Sequence, residues 1–579
     1  MKINRIYLLL VSLVGLGSCK ETTLPEPPPL PAAQRTVIEY VIATDQSYPA
    51  AQRYINELEA AFDPAGNERH IVYLYPPAKG STYAPADPQY DERPRLLLIA
   101  RDQDPEQFGS TLLKAYNRGQ APGDPNVLQT VQEDALRLAP GDYYTIATWH
   151  NPDVPPAGRT VIEYMVADNN LYPYAVQNIN DMEAAWAALP DNEKEGRMVV
   201  YLHPVAAASR WAPTTADYDD TPRLLLISGD RNDPNRPFAS RVLKTYSREQ
   251  NPTDPEVMAR VVTDAMALAP GASYGLAFWS HGAGWLPAES YQPLRSVIPA
   301  WDDAGWSGSK LAGIGESART SSGNGTKAGN EGITSYSFGI SSSFGNSEME
   351  IDAMSRALAG FGKFDFILFD ACHMACIELA WEFRDRADYL IASVAEVLGA
   401  GFPYREVLKP MLSPGAADVE GIARTYFDYY NEQSGAYRTA TVSVVKTSGL
   451  PTLAEAVKRL SDTGLPEGAA GLSPAAQQFG RTYTSFNGTF YDLGDLVHRT
   501  WSGGAYTEAV GAFDRALAAA VPYAATTPWI LEGQSGAIRV LTHCGLSSYL
   551  PRASTPVSLE AYRTRFGWSE ASGMGALAR

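Results

Sequence analysis

Two stretches decide how this chain folds: Phe278-Trp279-Ser280-His281-Gly282-Ala283-Gly284-Trp285 and Phe364-Asp365-Phe366-Ile367-Leu368-Phe369-Asp370-Ala371-Cys372. Each opens as a mostly apolar run of strand length and stops at a reactive side chain followed by loop-forming or helix-starting residues. Runs that are apolar on both faces belong to strands covered on both sides, the habit of parallel sheets. Such sheets take ligands beyond the carboxyl ends of their strands. His281 at one end and Cys372 at the other are therefore candidates for a base and a nucleophile.

Working outward, the region before His281 is a duplication. Arg35-Thr36-Val37-Ile38-Glu39-Tyr40-Val41 recurs as Arg159-Thr160-Val161-Ile162-Glu163-Tyr164-Met165, and Pro94 to Ile99 recurs as Pro222 to Ile227. Leu138-Ala139-Pro140-Gly141 matches Leu268-Ala269-Pro270-Gly271, and Trp149 matches Trp279. The offset moves only from 124 at Arg35/Arg159 to 130 at Trp149/Trp279, so a domain part has been copied rather than a short solenoid repeat. In the second copy the patterns predict strands near Val161–Ala167, Met198–His203, Leu224–Ser228 and Tyr274–Trp279. Helices are predicted near Tyr174–Leu189 and Pro255–Leu268. Alternating strands and helices imply a mainly parallel sheet with helices on both faces. The first copy ends Trp149-His150-Asn151-Pro152, which sets Asn151 opposite His281 and Pro152 opposite Gly282. It reads as a half-domain without chemistry.

Past Trp285 the chain is irregular to about Ser347, with a Gly- and Ser-rich middle from Gly313 to Gly332, and residues 286–346 read as a flexible insert. Helices are expected at Glu348–Ala359 and from His373 to about Arg386, and strands at Tyr389–Ser393 and Thr439–Lys446, the last closing the sheet. Residues 450–579 read as a C-terminal subdomain. At the other end, Lys2 and Arg5 precede the apolar run Ile6 to Leu16, and Leu16-Gly17-Ser18-Cys19 resembles a bacterial lipobox with Cys19 as the lipidated residue. Residues 1–19 are thus a signal peptide, and 20–34, with five prolines between Glu21 and Pro31, form an extended tether. That expects a bacterial cell-envelope location, on the outer membrane or cell surface, with the membrane as a partner through the lipid anchor. The net charge of −18 argues against nucleic acid as a partner. Cys372, Cys376 and Cys544 remain, an odd number that leaves at least one free thiol.

Cys372 at a strand-to-helix junction would gain acidity from the helix N-terminus, although a buried structural cysteine is the alternative. Gly282, with no Cβ, lets its backbone N–H approach a reacting carbonyl. Cys372-His373-x-x-Cys376 lacks the four matched ligands of a zinc site, so no metal is assigned and no cofactor is required. Acidic loops such as Asp302-Asp303 leave calcium open without a ligand spacing that identifies a site.

His281-Gly282-x-Gly284-Trp285, Asp370-Ala371-Cys372, Ala387 to Ser393 followed by Gly401-Phe402-Pro403-Tyr404, and the late Gly545-Leu546-Ser547-Ser548-Tyr549-Leu550-Pro551 together resemble the clostripain-like cysteine peptidases of clan CD. The resemblance runs from about Arg159 to Pro551. It implies a caspase-like α/β/α sandwich with a mostly parallel sheet, a catalytic domain over 158–449 and a degenerate duplicate over 35–157. It implies a cysteine endopeptidase acting on proteins or peptides, with Cys372 as nucleophile, His281 as base, and the backbone N–H groups of Gly282 and Cys372 as oxyanion donors. It further implies cleavage after Arg or Lys, with Asp370 in the P1 pocket, and self-cleavage in the insert, where Arg319 and Lys327 are the candidate bonds. One departure bears on selectivity. The position before Gly401 that commonly carries a second pocket acid is Ala400, and Glu396 reads as a solvated loop glutamate. The rival is a surface lipoprotein that binds peptide or glycan on an idle peptidase fold.

Overall fold

The computed structural model describes residues 33–43, 48–64, 66–81, 84–88, 90–102, 108–118, 125–148, 157–215, 218–229, 238–286, 338–481, 488–552 and 556–578. The chain divides into two compact units, the first Met1–Thr44 with Ala51–Trp149 and the second Asp45–Ala50 with His150–Arg579. Cys19, the 20–32 part of the tether, Asp302-Asp303, Arg319 and Lys327 lie outside the described residues.

The first unit runs β1 (Ala33–Ile42), α1 (Tyr48–Ala61), β2 (Glu68–Tyr75), β3 (Arg95–Leu98), β4 (Thr111–Ala115), α2 (Pro125–Leu138) and β5 (Gly141–Thr148), with sheet order β4-β3-β2-β1-β5. Strand β1 is parallel to both β2 and β5. Helix α2 carries Val127, Val131, Ala135 and Leu138 at helical spacing, and these pack with Ile38, Tyr40, Ile71 and Tyr73 into one core.

The second unit begins with the same plan: β6 (Arg159–Val166), α3 (Tyr172–Ala188), β7 (Gly196–His203), β8 (Arg223–Leu226), β9 (Arg241–Thr245), α4 (Pro255–Leu268) and β10 (Tyr274–Trp279). It continues through the hairpin β11 (Phe338–Ser341) and β12 (Ser347–Met349), then α5 (Ile351–Ala357), β13 (Phe364–Asp370), α6 (Ile377–Phe383) and β14 (Ala387–Ala392). Helices α7 (Tyr404–Leu412) and α8 (Val419–Asn431), strand β15 (Thr441–Lys446), helix α9 (Leu450–Asp462), and strands β16 (Tyr491–Asp492) and β17 (Tyr523–Thr526) follow. The nine-stranded sheet has order β17-β15-β14-β13-β10-β6-β7-β8-β9. Its centre, β14-β13-β10-β6-β7, is parallel throughout. Strands β8, β9, β15 and β17 are antiparallel flanks. Helices α3, α7 and α8 pack in series, as do α4, α5 and α6.

The sequence expectation holds for α4, whose bounds coincide with the predicted Pro255–Leu268. Pro255 sits at its first turn, and Asp254 accepts a hydrogen bond from Glu256 N as N-cap. Strand β9 has no counterpart among the predicted strands, because Arg241-Val242-Leu243-Lys244-Thr245 is short and interrupted by charge. Strand β17, from the C-terminal segment, pairs outside β15, so Thr441–Lys446 is not the last strand on that side. A larger correction concerns the helix expected from His373. It starts only at Ile377, since His373 adopts φ +61° and Cys376 is extended. The intervening N–H groups are used on the neighbouring loop instead: His373 N donates to Ala395 O and Ala375 N to Ser393 O.

Candidate active site

Strands β6, β10 and β13 lie side by side, with β10 in the middle. Trp279 is the register partner of Met165 on one side and of Asp370 on the other. His281 and Cys372 each follow their register partner by two residues, so adjacent parallel strands deliver both to one end of the sheet at the same height. The loop after β6 contributes Asn170, whose Oδ1 lies 2.8 Å from His281 Nε2. Asn170 was not among the residues singled out from sequence. The signal was available in the duplication, because Asp168-Asn169-Asn170 aligns without a gap with Thr44-Asp45-Gln46.

Cys372 is a half-buried residue with a free thiol. Its sulfur accepts from Val397 N at 3.3 Å and faces Val397 O at 3.7 Å. Burial pushes the thiol up to about 12, and the negative charge of Glu396 adds to the rise. Burial pulls His281 down to about 4. At neutral pH the pair therefore rests as neutral thiol and neutral imidazole. The helix N-terminus invoked from sequence plays no part, since α6 begins five residues beyond Cys372.

Gly282 is required by space. A Cβ there would lie 2.7 Å from Cys372 O and 2.9 Å from Ala371 Cβ, so any other residue would push the His281 strand end off the Cys372 loop. That loop is held from several sides. The His373 ring stacks on Phe490 at 4.5 Å, and its Nδ1 lies 3.1 Å from Val394 O. The Gly545–Pro551 motif braces it from behind: Ser547 N donates to Ala375 O, and both Ser548 Oγ and Tyr549 N donate to the buried Glu378 carboxylate. These contacts hold a non-glycine residue in the left-handed region directly after the cysteine, which costs about 1 kcal/mol in isolation.

Asp370 is buried, with Oδ2 accepting from Phe402 N at 2.8 Å and Tyr404 Oη at 3.1 Å. Gly401 makes that approach possible: a Cβ there would fall 2.3 Å from the same oxygen. Tyr404 Oη also lies 2.6 Å from Glu163 Oε1. Burial raises Asp370 to about 7 and Glu163 to about 8, with the charge of Asp370 adding to the latter. One phenolic proton cannot serve two carboxylates, so the cluster is satisfied when at least one acid holds a proton of its own.

Ala400 offers no carboxylate, and its carbonyl accepts from Asn178 Nδ2 at 3.2 Å. Glu396 corrects the sequence reading. It is buried rather than solvated and pairs with Arg481, whose Nη1 lies 3.4 Å away and whose Nη2 donates to Ser535 O. Cys376 is fully buried, Cys372, Cys376 and Cys544 are all free thiols, and among the described residues no His, Cys, Asp and Glu cluster of metal-binding size occurs.

A model of the clostripain family matches residues 163–306 and 321–519. Clostripain from Hathewaya histolytica is 25% identical over 276 residues, 45% of this chain and 43% of that protein, so the chain matches less than half of that relative's length. The structure of an inactive zymogen C11 protease from Parabacteroides distasonis aligns with TM-score 0.53 and 28% identity, over 72% of this chain and 99% of that one. A secreted C11 cysteine protease from Bacteroides thetaiotaomicron, solved with an irreversible peptide inhibitor, aligns with TM-score 0.52 and 24% identity over the same shares. The second likeness speaks for the fold alone. Together with the sheet described above, these matches give the second unit the caspase-like architecture expected from its motifs.

Proposed function

We propose that this chain, which belongs to the clostripain family, is a cysteine endopeptidase in which Cys372 attacks and His281 moves the proton. The observation that carries the reading is the shared register of β10 and β13, whose ends supply the two side chains from neighbouring strands. His281 takes the thiol proton as Cys372 Sγ attacks the scissile carbonyl, so no standing thiolate is needed. The carbonyl oxygen becomes an oxyanion held by the N–H groups of Gly282 and Cys372. Collapse expels the amine with the proton from His281 and leaves a thioester. Water, deprotonated by the same imidazole, then releases the acid product and restores the thiol.

A basic P1 side chain is the substrate feature that the family resemblance supports, with Asp370, two residues before Cys372, as the pocket acid. Glu396, already paired with Arg481, does not replace the acid that Ala400 lacks, so the preference rests on Asp370. Self-cleavage at Arg319 or Lys327, and export with lipidation at Cys19, complete the proposal and rest on sequence.

A second reading, an idle binding lipoprotein, is favoured by the neutral thiol held on Val397. A peptidyl acyloxymethyl ketone separates the two. Labelling of Cys372 well ahead of Cys544, with hydrolysis falling to background in Cys372→Ala, supports the peptidase. Undiminished hydrolysis by purified Cys372→Ala protein would falsify the mechanism. A fluorogenic library varied at P1 reads the basic preference directly.

A further inference from the structure

We infer that Asn170 is a positioning residue: its amide oxygen fixes the His281 ring with Nε2 protonated and Nδ1 presented as the basic atom. The inference rests on the reading of His281 as the base, and it makes the machinery a three-strand device rather than a pair. Asn170 Oδ1 faces Nε2 at 2.8 Å, and an amide oxygen only accepts, so this contact is a hydrogen bond in the tautomer that carries its hydrogen on Nε2. A neutral imidazole carries one proton, which leaves Nδ1 with the lone pair. The same logic of an orienting third group recurs wherever a histidine activates a nucleophile.

The loop that bears Asn170 is built to hold it still. Asp168, almost fully buried, accepts from Ser341 Oγ, Ser343 N, Ser343 Oγ and Arg248 Nη2. Asn169 donates to Val166 O and Ile340 O and accepts from Leu171 N. The same returning segment grips the histidine backbone, with Gly339 N donating to His281 O. Asp168 and Asn169 thus spend their side chains on the scaffold, and Asn170 alone of the three is directed at the ring. The first copy lacks the whole device, having Thr44-Asp45-Gln46 at these positions and Asn151 where His281 stands. Histidine and asparagine are absent from it together, as expected if one exists to serve the other.

No charge contributes to lowering His281; burial does it. Asp168, two residues before Asn170, is tied to Arg248. A neutral amide orients the ring without making it a stronger base, whereas a carboxylate in its place would favour imidazolium.

The test reads the ring itself in the full chain labelled with 15N-histidine, assigned with a His281→Gln control. The wild type should show the Nε2–H tautomer and Asn170→Ala a mixture of both, with an unchanged melting temperature. Asn170→Asp should restore the Nε2–H tautomer and raise the His281 titration by roughly 1–3 pH units. An Nδ1–H tautomer in the wild type, or a spectrum unmoved by Asn170→Ala, overturns the inference. None of these outcomes depends on turnover, so failure of the peptidase reading is registered separately by acyloxymethyl ketone labelling of Cys372. Where hydrolysis is measured, Asn170→Ala should lower kcat more than it raises KM, and Asn170→Asp should move the acid limb of kcat/KM upward.

Discussion

The two halves of the duplication share a sheet plan and differ in what completes it. The order β4-β3-β2-β1-β5 in the first unit is the order β9-β8-β7-β6-β10 in the second. The second then adds β13 and β14 beside β10, whereas among the described residues the first sheet ends at β5. Corresponding residues record the consequence. Arg35 forms an ion pair with Glu68 at 3.1 Å in which both side chains are over two-fifths exposed. Arg159, its counterpart, is fully buried against Asp365 of β13, with Ser413 O and Gly415 O completing its guanidinium. Glu39 meets Tyr54 of its own helix α1, whereas Glu163 meets Tyr404, which it shares with Asp370. The same sequence element is surface trim in one copy and a keystone in the other. The added strands change what a side chain shared by the two copies touches, and they also bring the cysteine.

Exchanging the strand ends tests this most severely. His281→Asn with Gly282→Pro gives the second copy the ending of the first. It should reduce kcat/KM by at least about 10²–10⁴-fold, the usual worth of a general base. The reverse change, Asn151→His with Pro152→Gly, should leave hydrolysis unaltered, because among the described residues no strand pairs beyond β5 in its sheet to supply a thiol. A gain of activity in the reverse variant, measured with Cys372→Ala present, would break the claim that the first copy is without chemistry.

Much of this was legible because apolar periodicity and turn signals survive in single residues. Helix α4 announces itself through its apolar pattern and the Ala269-Pro270-Gly271 stop, and the central strands through unbroken apolar runs. What stayed hidden was set by contacts between distant segments. Nothing local around Cys372 says that Ala395, Ser393 and Ser547 will take up the backbone groups of the Cys372–Cys376 loop and delay the helix to Ile377. Glu396 looked solvated because its partner, Arg481, lies 85 residues away. Asn170 was missed for a different reason: asparagine before a helix is ordinarily a cap or turn residue. Only its neighbour across the sheet shows that it is more.

The buried arginine offers the next contrast. Arg159→Ala removes a cation and strands the carbonyls of Ser413 and Gly415, while Asp365 keeps only Ser273 Oγ at 2.6 Å. The second unit should lose about 3 kcal/mol or more in urea unfolding, the scale for breaking a buried pair from one side. Arg35→Ala should cost the first unit less than about 1 kcal/mol, since its ion pair is half in water. Equal losses would mean that the added strands have not made Arg159 structural.

The glutamate pair gives the most informative sign. Glu163 is raised to about 8 in the folded chain, against an ordinary value of 4.5. Between those pH values the folded state holds a proton that the unfolded state has lost. Stability is therefore fully present below about pH 4.5 and drains away as pH rises toward 8. Asp370, raised to about 7, slopes the same way over a lower window and shares the Tyr404 hydroxyl. Glu163→Gln keeps an acceptor for Tyr404 and cannot ionise. It should flatten the decline between pH 5 and 8, with its advantage over wild type growing as pH rises through that range. Urea midpoints at the two pH values suffice to see it. An unchanged slope would remove the shared phenol as the reason why Glu163, unlike Glu39, sits beside a second acid.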